Sequence, residues 1–178
     1  EVVAVQQYEK GRYAKDLMPT IIENIISKMK LPIAMKWGAG EGPFIRPVQW
    51  LCVLIDDDVV EVEVFGVKSS NISYGHRFLS EQNSGSFLGK ALQINSVNEY
   101  ASTLKNNFVL VDMSERKTII KNQIERYIND DQIDGGLLAE VTNLVEWPTV
   151  LKISFPDEFL TLPEEVLIQC LKKHQKAF

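Results

Sequence analysis

The distribution of apolar and polar residues predicts a helix and then a pair of strands in the first part of the chain. Apolar residues recur at helical spacing from Asp16 to Met29, with Asp16 as the predicted N-cap. Residues 48–56 form a nearly unbroken apolar run, which is typical of a strand covered on both faces. Residues 59–67 alternate valine with acidic residues, as expected for a strand with one buried face. Three aspartates separate the two runs, so we predict a hairpin.

The remaining pattern alternates between strands, capped helices and one polar loop. A third strand is predicted over 72–79, before a polar, glycine-bearing loop over 80–90. Further on, serine, threonine or aspartate followed three residues later by glutamate predicts helix starts. Three helices are expected to begin in this way, at Ser96 with Glu99, at Asp112 with Glu115, and at Thr161 with Glu164. In the second of these helices, Arg116 and Lys117 are expected on the solvated face. A further helix is predicted over 135–147, and strands are predicted over 108–112 and 149–155.

These elements predict an α+β fold in one domain over residues 1–178. Residues 1–34 form a leading helical segment and residues 35–178 the core. The chain is 45% hydrophobic and 24% charged, an ordinary globular composition. No apolar run reaches the roughly 18 residues that span a bilayer, and the N-terminus has no signal-peptide pattern. We therefore expect a cytoplasmic protein, and the missing initiator methionine suggests a piece of a longer chain.

Cysteine and histidine usage argues against a metal site or a cysteine nucleophile. Cys52 and Cys170 are the only cysteines, and both lie among apolar residues, so we expect two buried, reduced thiols. His76 and His174 are the only histidines, and neither lies at ligand spacing from a cysteine. The sequence contains no serine-nucleophile motif. We predict no catalytic, metal or cofactor site.

The glycine-rich stretch at 38–42 favours a turn over a nucleotide site. A dinucleotide fingerprint needs three glycines at fixed spacing and a following helix, and neither is present. Glu41 would also place a negative charge beside any phosphate.

Three clusters of basic residues remain as candidate binding groups, each with a structural alternative. Arg46 either pairs with an acid or binds an anion. His76 and Arg77 are either structural or a polar pair at the mouth of a pocket. The terminal run with Lys172, Lys173 and Lys176 either contacts phosphates or complements a helix dipole. The net charge of −5 excludes a protein that coats nucleic acid with its whole surface, but not a local basic edge.

Several short blocks, taken in order, resemble the β subunit of bacterial glycyl-tRNA synthetase. The blocks are Met35-Lys36-Trp37-Gly38, Phe44-Ile45-Arg46-Pro47-Val48, Gly75-His76-Arg77-Phe78, residues 140–148 (EVTNLVEWP), Phe159-Leu160-Thr161-Leu162-Pro163 and Lys173-His174-Gln175-Lys176. The chain departs from the family at Ala177, where an aromatic residue is usual.

The resemblance implies a heterotetrameric α₂β₂ enzyme that uses ATP to attach glycine to its tRNA. In that family the α subunit carries the ATP and glycine sites, so this region needs no cofactor of its own. The region resembles the editing-type module of the phenylalanyl-tRNA synthetase β chain, a three-layer domain with a β-sandwich or mixed sheet and flanking helices. An editing site hydrolyses products made from amino acids smaller than the correct one, and almost no smaller amino acid exists than glycine. The resemblance therefore does not favour an inherited editing activity.

Three hypotheses follow from the resemblance and the basic clusters. In the first, the region is a non-catalytic module that helps to position tRNA(Gly). Its contact candidates are Arg46, His76, Arg77, Lys172, Lys173 and Lys176. In the second, it is a protein–protein scaffold that docks onto other domains of the β subunit or onto the α subunit. In the third, it is a vestigial deacylase of mischarged tRNA, in which His76 polarises water.

Overall fold

A computed structural model describes residues 3–39, 41–81 and 87–178. The fold is α+β, with several small sheets and helices, as predicted. The chain forms two compact units, one of Glu1–Ser73 with Leu92–Tyr100 and one of Tyr74–Ala91 with Ala101–Phe178. The single domain over 1–178 stays a prediction. Part of the predicted polar loop, residues 82–86, lies outside the described residues.

The first unit begins with helix α1, Ala14–Lys28, which leaves all of its side chains at least partly exposed. The helix starts after Tyr13, so the predicted N-cap Asp16 is wrong and this residue lies in the first turn. There its charge favours the positive end of the helix dipole. The apolar spacing was read correctly, yet Ile21 and Ile25 of the stripe are exposed.

Strands β1, Met35–Trp37, and β2, Glu41–Phe44, form an antiparallel pair. Gly38 and Ala39 form a turn after β1, as predicted, whereas Glu41 and Gly42 of the glycine-rich stretch lie in β2, and Gly40 is outside the described residues. Gly38 has a φ of +55°, a conformation that glycine adopts without steric strain.

The long strands predicted over 48–67 are divided into five short ones. The pieces are β3 (Leu51–Cys52), β4 (Leu54–Ile55), β5 (Asp58–Val59), β6 (Glu63–Val64) and β7 (Val67–Ser70). The predicted hairpin is confirmed, because Ile55 pairs with Asp58 across the aspartate turn. A second turn at Phe65 and Gly66, both at positive φ, folds β7 back antiparallel to β6.

The predicted alternation supplies the core of the first unit. Val60, Val62 and Val64 are buried, and Glu61 and Glu63 between them are exposed. Strand β7 also pairs in parallel with β3, which places these strands in one three-stranded sheet.

Strand β8, Ile72–Tyr74, is much shorter than the predicted strand over 72–79, because the chain turns after Gly75. It pairs with β9, Ala91–Gln93, a strand that the sequence did not predict. Ser96 accepts a hydrogen bond from the backbone N–H of Asn98 and starts a 3-10 turn that leads into α2, Tyr100–Lys105.

Helices α3, Met113–Ile124, and α4, Gly135–Leu144, form the core of the second unit. The Asp112 cap is confirmed, since its carboxylate accepts from the Glu115 N–H at 2.8 Å. Asp134 caps α4 in the same way. Ile120, Ile124 and Leu138 are buried together between the two helices, with a ring of half-buried apolar residues around them.

Arg116 was predicted on the solvated face of α3, and that prediction is wrong. Its guanidinium is half-buried and donates to the carbonyl oxygens of Thr142, Leu110 and Val111 at 3.1, 2.5 and 2.9 Å. The planar fork of donors on arginine suits several carbonyls at once. Arg116 therefore joins α3 to the end of α4 and to the segment before α3.

Two predicted strands, 108–112 and 149–155, are not strands. In the first, Phe108 has a φ of 63°, and Arg116 occupies carbonyl oxygens that a strand ladder would use. In the second, residues 151–155 are exposed, and no neighbouring strand in the described part of the chain pairs with them. A segment that is rich in strand-forming residues does not form a strand unless it pairs with a neighbouring strand.

The C-terminal region consists of a 3-10 helix at Asp157–Thr161, helix α5 at Glu164–Ile168 and a π-helical turn at Gln169–His174. The predicted capping box at Thr161 is wrong, because the hydroxyl of this residue donates back to the Glu158 carbonyl. The burial predicted for the thiols is also wrong: Cys170 is exposed and Cys52 is half-buried.

Candidate functional site

The predicted pair His76–Arg77 lies in a tight turn of the second unit whose first residues are held by backbone hydrogen bonds. The Gly75 N–H donates to the Lys90 carbonyl, and the His76 N–H donates to the Asn107 carbonyl, each at 2.9 Å. Within the turn, Nδ1 of His76 accepts from the backbone N–H groups of Phe78 and Leu79, at 3.1 and 3.2 Å. His76 therefore caps its own turn, with Nδ1 unprotonated and the ring proton on Nε2.

Ser80 closes this turn. Its hydroxyl donates to the His76 carbonyl at 2.6 Å and accepts from the Lys90 N–H at 3.0 Å. Gly89 lies so close to the Gly75 backbone that an added Cβ would collide with it. The close approach of these two segments requires glycine at position 89.

The turn presents Arg77 and Phe78 at the surface. The Phe78 ring is 74% exposed, and the Arg77 guanidinium carbon lies 5.4 Å from the centre of that ring. This distance is within the range of a cation–π contact. Phe78 was not among the predicted contact residues. The signal that could have identified it is an aromatic residue next to arginine in a glycine-bounded turn.

Two of the three predicted lysines pair with acids of α4. Lys172 contacts Asp134 at 2.5 Å, and Lys176 contacts Glu140 at 2.6 Å. Hydrogen bonds from Lys172 and then from the Leu137 N–H hold the pKa of Asp134 below its ordinary value. The two lysines thus pair the C-terminal turn with α4 and its N-cap, so each already has a carboxylate partner.

The other two candidates have different surroundings. Lys173 is exposed and forms no ion pair within the described residues. Arg46 is exposed in the first unit, and the described residues provide no ion pair for it. The structure therefore places His76 and Arg77 in one turn and pairs Lys172 and Lys176 with separate carboxylates, while Arg46 belongs to the other unit.

A groove of about 520 Å³ lies in the second unit beside the α3–α4 core. Its lining is mostly apolar, from Ile120 and Val145 to Val150 and Phe178. Leu151 and Ile153 line this groove, and further exposed apolar side chains follow along residues 154–168. The most exposed of all these side chains are Leu151, Ile153 and Leu160, at 76, 72 and 62%.

Chemistry-bearing groups are sparse in the part of the chain that the structure describes. There, no three His, Cys, Asp or Glu side chains lie close enough to hold a metal ion. Burial raises the pKa of the Cys52 thiol and of the neighbouring Tyr100 hydroxyl, which makes that thiol a poor nucleophile at neutral pH. Nor does any helix of the described segments combine the length and apolarity needed to cross a bilayer.

A sequence profile described as "Glycyl-tRNA synthetase beta subunit" matches residues 1–178, the whole chain. The chain belongs to the glycyl-tRNA synthetase beta subunit family. The glycine–tRNA ligase beta subunit of Listeria monocytogenes serotype 4b (strain CLIP80459) is 39% identical over 182 residues, which cover 100% of this chain and 25% of the relative. Those of Limosilactobacillus reuteri (strain DSM 20016) and Limosilactobacillus fermentum (strain NBRC 3956 / LMG 18251) are 37% identical, with the same coverage.

Membership of the glycyl-tRNA synthetase beta subunit family confirms the resemblance predicted from the ordered blocks. The chain spans about a quarter of the length of these relatives. One family block is the tight turn at 75–78, and another, 173–176, ends in the lysine that pairs with α4.

Proposed function

We propose that this chain is a non-catalytic assembly module within the β subunit of a glycine–tRNA ligase. The observation that carries the proposal is the balance of exposed and buried apolar side chains. Among the described residues, thirty large hydrophobic side chains are exposed and eleven hydrophobic ones are buried. Extended apolar surface on a soluble domain marks sites covered by other protein.

The surface over residues 151–168 fits this role best. Leu151, Ile153 and Leu160 project from a segment whose backbone joins no sheet in the described structure. Burial of a leucine or isoleucine side chain contributes roughly 1.5–3 kcal/mol, so three such contacts are a substantial part of a binding free energy. The covering protein is either the rest of the β subunit or the α subunit.

The family extends this proposal to the whole enzyme. We propose that its partners are the α subunit, other domains of the β subunit and tRNA(Gly). We also propose that the α subunit binds ATP as the cosubstrate and that the enzyme works in the cytoplasm. The three-layer arrangement with a β-sandwich, like that of the phenylalanyl-tRNA synthetase β editing module, belongs to the same proposal.

The test is a full-length β subunit that carries Leu151→Asp together with Leu160→Asp. We expect less complex with the α subunit, or a less stable β subunit, measured by size-exclusion chromatography and thermal unfolding at about 0.5 M salt, where surface charge is screened. The matched control, Lys152→Asp, makes the same change in net charge at an exposed position of the same segment without removing an apolar side chain. Unchanged assembly and unchanged stability in the double variant would rule the proposal out.

A second candidate function, positioning of tRNA, is favoured by Arg77 and Phe78. An exposed aromatic ring next to an arginine suits an unpaired base that stacks on the ring, with its phosphate near the guanidinium. Lys172 and Lys176 support this role less than the sequence suggested, because each already has a carboxylate partner. Arg46 and Lys173 stay candidates for phosphate contact.

Filter binding of tRNA(Gly) to the assembled enzyme tests this second function. Loss of one stacking contact by Phe78→Ala should weaken binding by roughly 1–3 kcal/mol, or about five- to 150-fold. Phe87→Ala is the control, because this ring is also exposed in the same unit. Equal affinities for both variants would exclude base stacking on Phe78.

The vestigial deacylase is the least favoured of the three hypotheses. A histidine that activates water needs a free basic nitrogen, and Nδ1 of His76 already accepts two backbone N–H groups. The ring is held as part of the turn, and we propose no catalytic role for it.

A further inference from the structure

A second groove, in the first unit, combines an apolar floor with an acidic rim. It has a volume of about 520 Å³ and is lined by residues of α1, of the chain that follows it, of β2 and of β6. This size falls within the range of about 300–1,000 Å³ that is typical of ligand clefts. No part of the function proposed above has used this groove.

The floor of the groove consists of apolar side chains, most of which are not fully buried. Ile26, in the last turn of α1, is half-buried, and Met29, the residue directly after the helix, is 44% exposed. Val64, which is buried, and Phe65, at the turn into β7, also line the groove. Isoleucine, methionine, valine and phenylalanine side chains accept another apolar surface without the loss of hydrogen bonds.

The rim carries Glu23 from α1 and Glu63 from β6, and both are exposed. Neither forms an ion pair within the described residues, and the described lining contains no lysine or arginine. Lys68 lies opposite Glu63 in the strand register but is not within ion-pair distance of it. The rim therefore carries two glutamates that form no ion pair in the described structure.

We propose that this groove binds an amphipathic protein segment that carries lysine or arginine beside its apolar side chains. The apolar floor matches the anchors of a helix laid into a groove, and the two glutamates match cations on its flank. The same charges repel a phosphate backbone, which argues against nucleic acid as the occupant. This inference rests on the proposed assembly function and names the chemistry of one partner.

Site-specific photo-crosslinking in the assembled enzyme tests the inference. A benzophenone amino acid replaces Ser27, which lines the groove, in the full-length β subunit purified with the α subunit. After irradiation, the captured peptide is identified by mass spectrometry. The expected product is a segment with lysine or arginine next to apolar residues. Absence of any crosslink, or capture of a segment without basic residues, overturns the proposal.

Two charge reversals on neighbouring positions isolate the contribution of the rim. Glu63→Lys should lower the crosslink yield about tenfold at low salt, and less at high salt. Glu61→Lys is the matched control: it makes the same charge change at an exposed glutamate two residues away that does not line the groove. We expect no more than a twofold effect from the control. Equal effects of the two reversals would show that net charge alone is responsible, and would contradict a specific site.

The outcome is separable from that of the assembly proposal. If Leu151→Asp with Leu160→Asp disrupts the enzyme but the Ser27 position captures nothing, the module assembles through the second unit and the groove is not a docking site. If neither experiment has an effect, both proposals fail.

Discussion

The most informative perturbation is Arg116→Met, because it tests a contact that the sequence pattern placed in solvent. Methionine keeps the apolar stem of the side chain and removes the guanidinium. Three carbonyl oxygens then lose their donors, those of Leu110, Val111 and Thr142. The Thr142 carbonyl is in the last turn of α4, where no intrahelical N–H is available to it.

The magnitude follows from the number of bonds and their partial exposure. A hydrogen bond to a charged group contributes about 1.5–3 kcal/mol, and an orphaned buried acceptor adds a desolvation penalty. Because Arg116 is only half-buried, water can replace part of the loss. We expect a decrease of about 2–4 kcal/mol in the free energy of unfolding. For a chain of this size, that corresponds to a drop of roughly 4–16 °C in Tm.

Urea unfolding monitored by far-UV circular dichroism measures this change. Lys117→Met is the matched control, since it removes an exposed neighbouring cation on the same helix. The control should change stability by less than about 0.5 kcal/mol. If Arg116→Met is no more destabilising than Lys117→Met, the three carbonyl contacts do not hold α3 to α4.

Three further predictions concern the C-terminal attachment and the thiols. Lys176 has a φ of 57°, so Lys176→Gly should be more stable than Lys176→Ala by about 1 kcal/mol in chemical denaturation, although both lose the acid partner on α4. The pKa of Asp134 is lowered mainly by Lys172, so the ionised carboxylate stabilises the fold at pH values above its ordinary pKa. This stabilisation is lost as the pH falls through the lowered pKa. Asp134→Asn should therefore remove this pH dependence from unfolding curves measured over a series of acidic pH values. A maleimide reagent should label exposed Cys170 faster than Cys52, whose pKa is raised by burial, as read by mass spectrometry of the digested protein.

Each of these predictions has a clear contrary result. Equal stability of the glycine and alanine variants at position 176 would mean that its backbone carries no left-handed strain. An unchanged acid profile in Asp134→Asn would mean that the ion pair does not couple to folding. Faster labelling of Cys52 would show that its surroundings open readily to solvent.

Local patterns in the sequence predicted those features that depend on neighbouring residues. The alternation at Val60, Val62 and Val64 identified a buried strand face, because side chains alternate along any extended chain. The Asp112 cap was predictable because its partner is three residues away. The turn at Gly38 and Ala39 was predictable because glycine favours turns.

Features that depend on distant partners were not predictable. Residues 108–112 have strand composition, but the Leu110 N–H donates to the Glu146 carbonyl and Arg116 takes the carbonyls. The lysines of the C-terminal run looked available for phosphate, because nothing in the spacing indicated that acids of α4 would face them. For His76 the sequence left a structural role and a role in a pocket open, because the spacing did not show that its Nδ1 would accept from the backbone N–H groups of Phe78 and Leu79.

Hydroxyl-radical footprinting of the full-length β subunit, assembled with the proposed α-subunit partner, tests the central claim most directly. The claim is that other protein covers the apolar surface of residues 151–168. The account predicts that Leu151, Ile153 and Leu160 are oxidised at rates close to those of buried Ile120. Rates that stay as high in the native enzyme as in the urea-unfolded enzyme would show an uncovered surface, and the assembly function would be wrong.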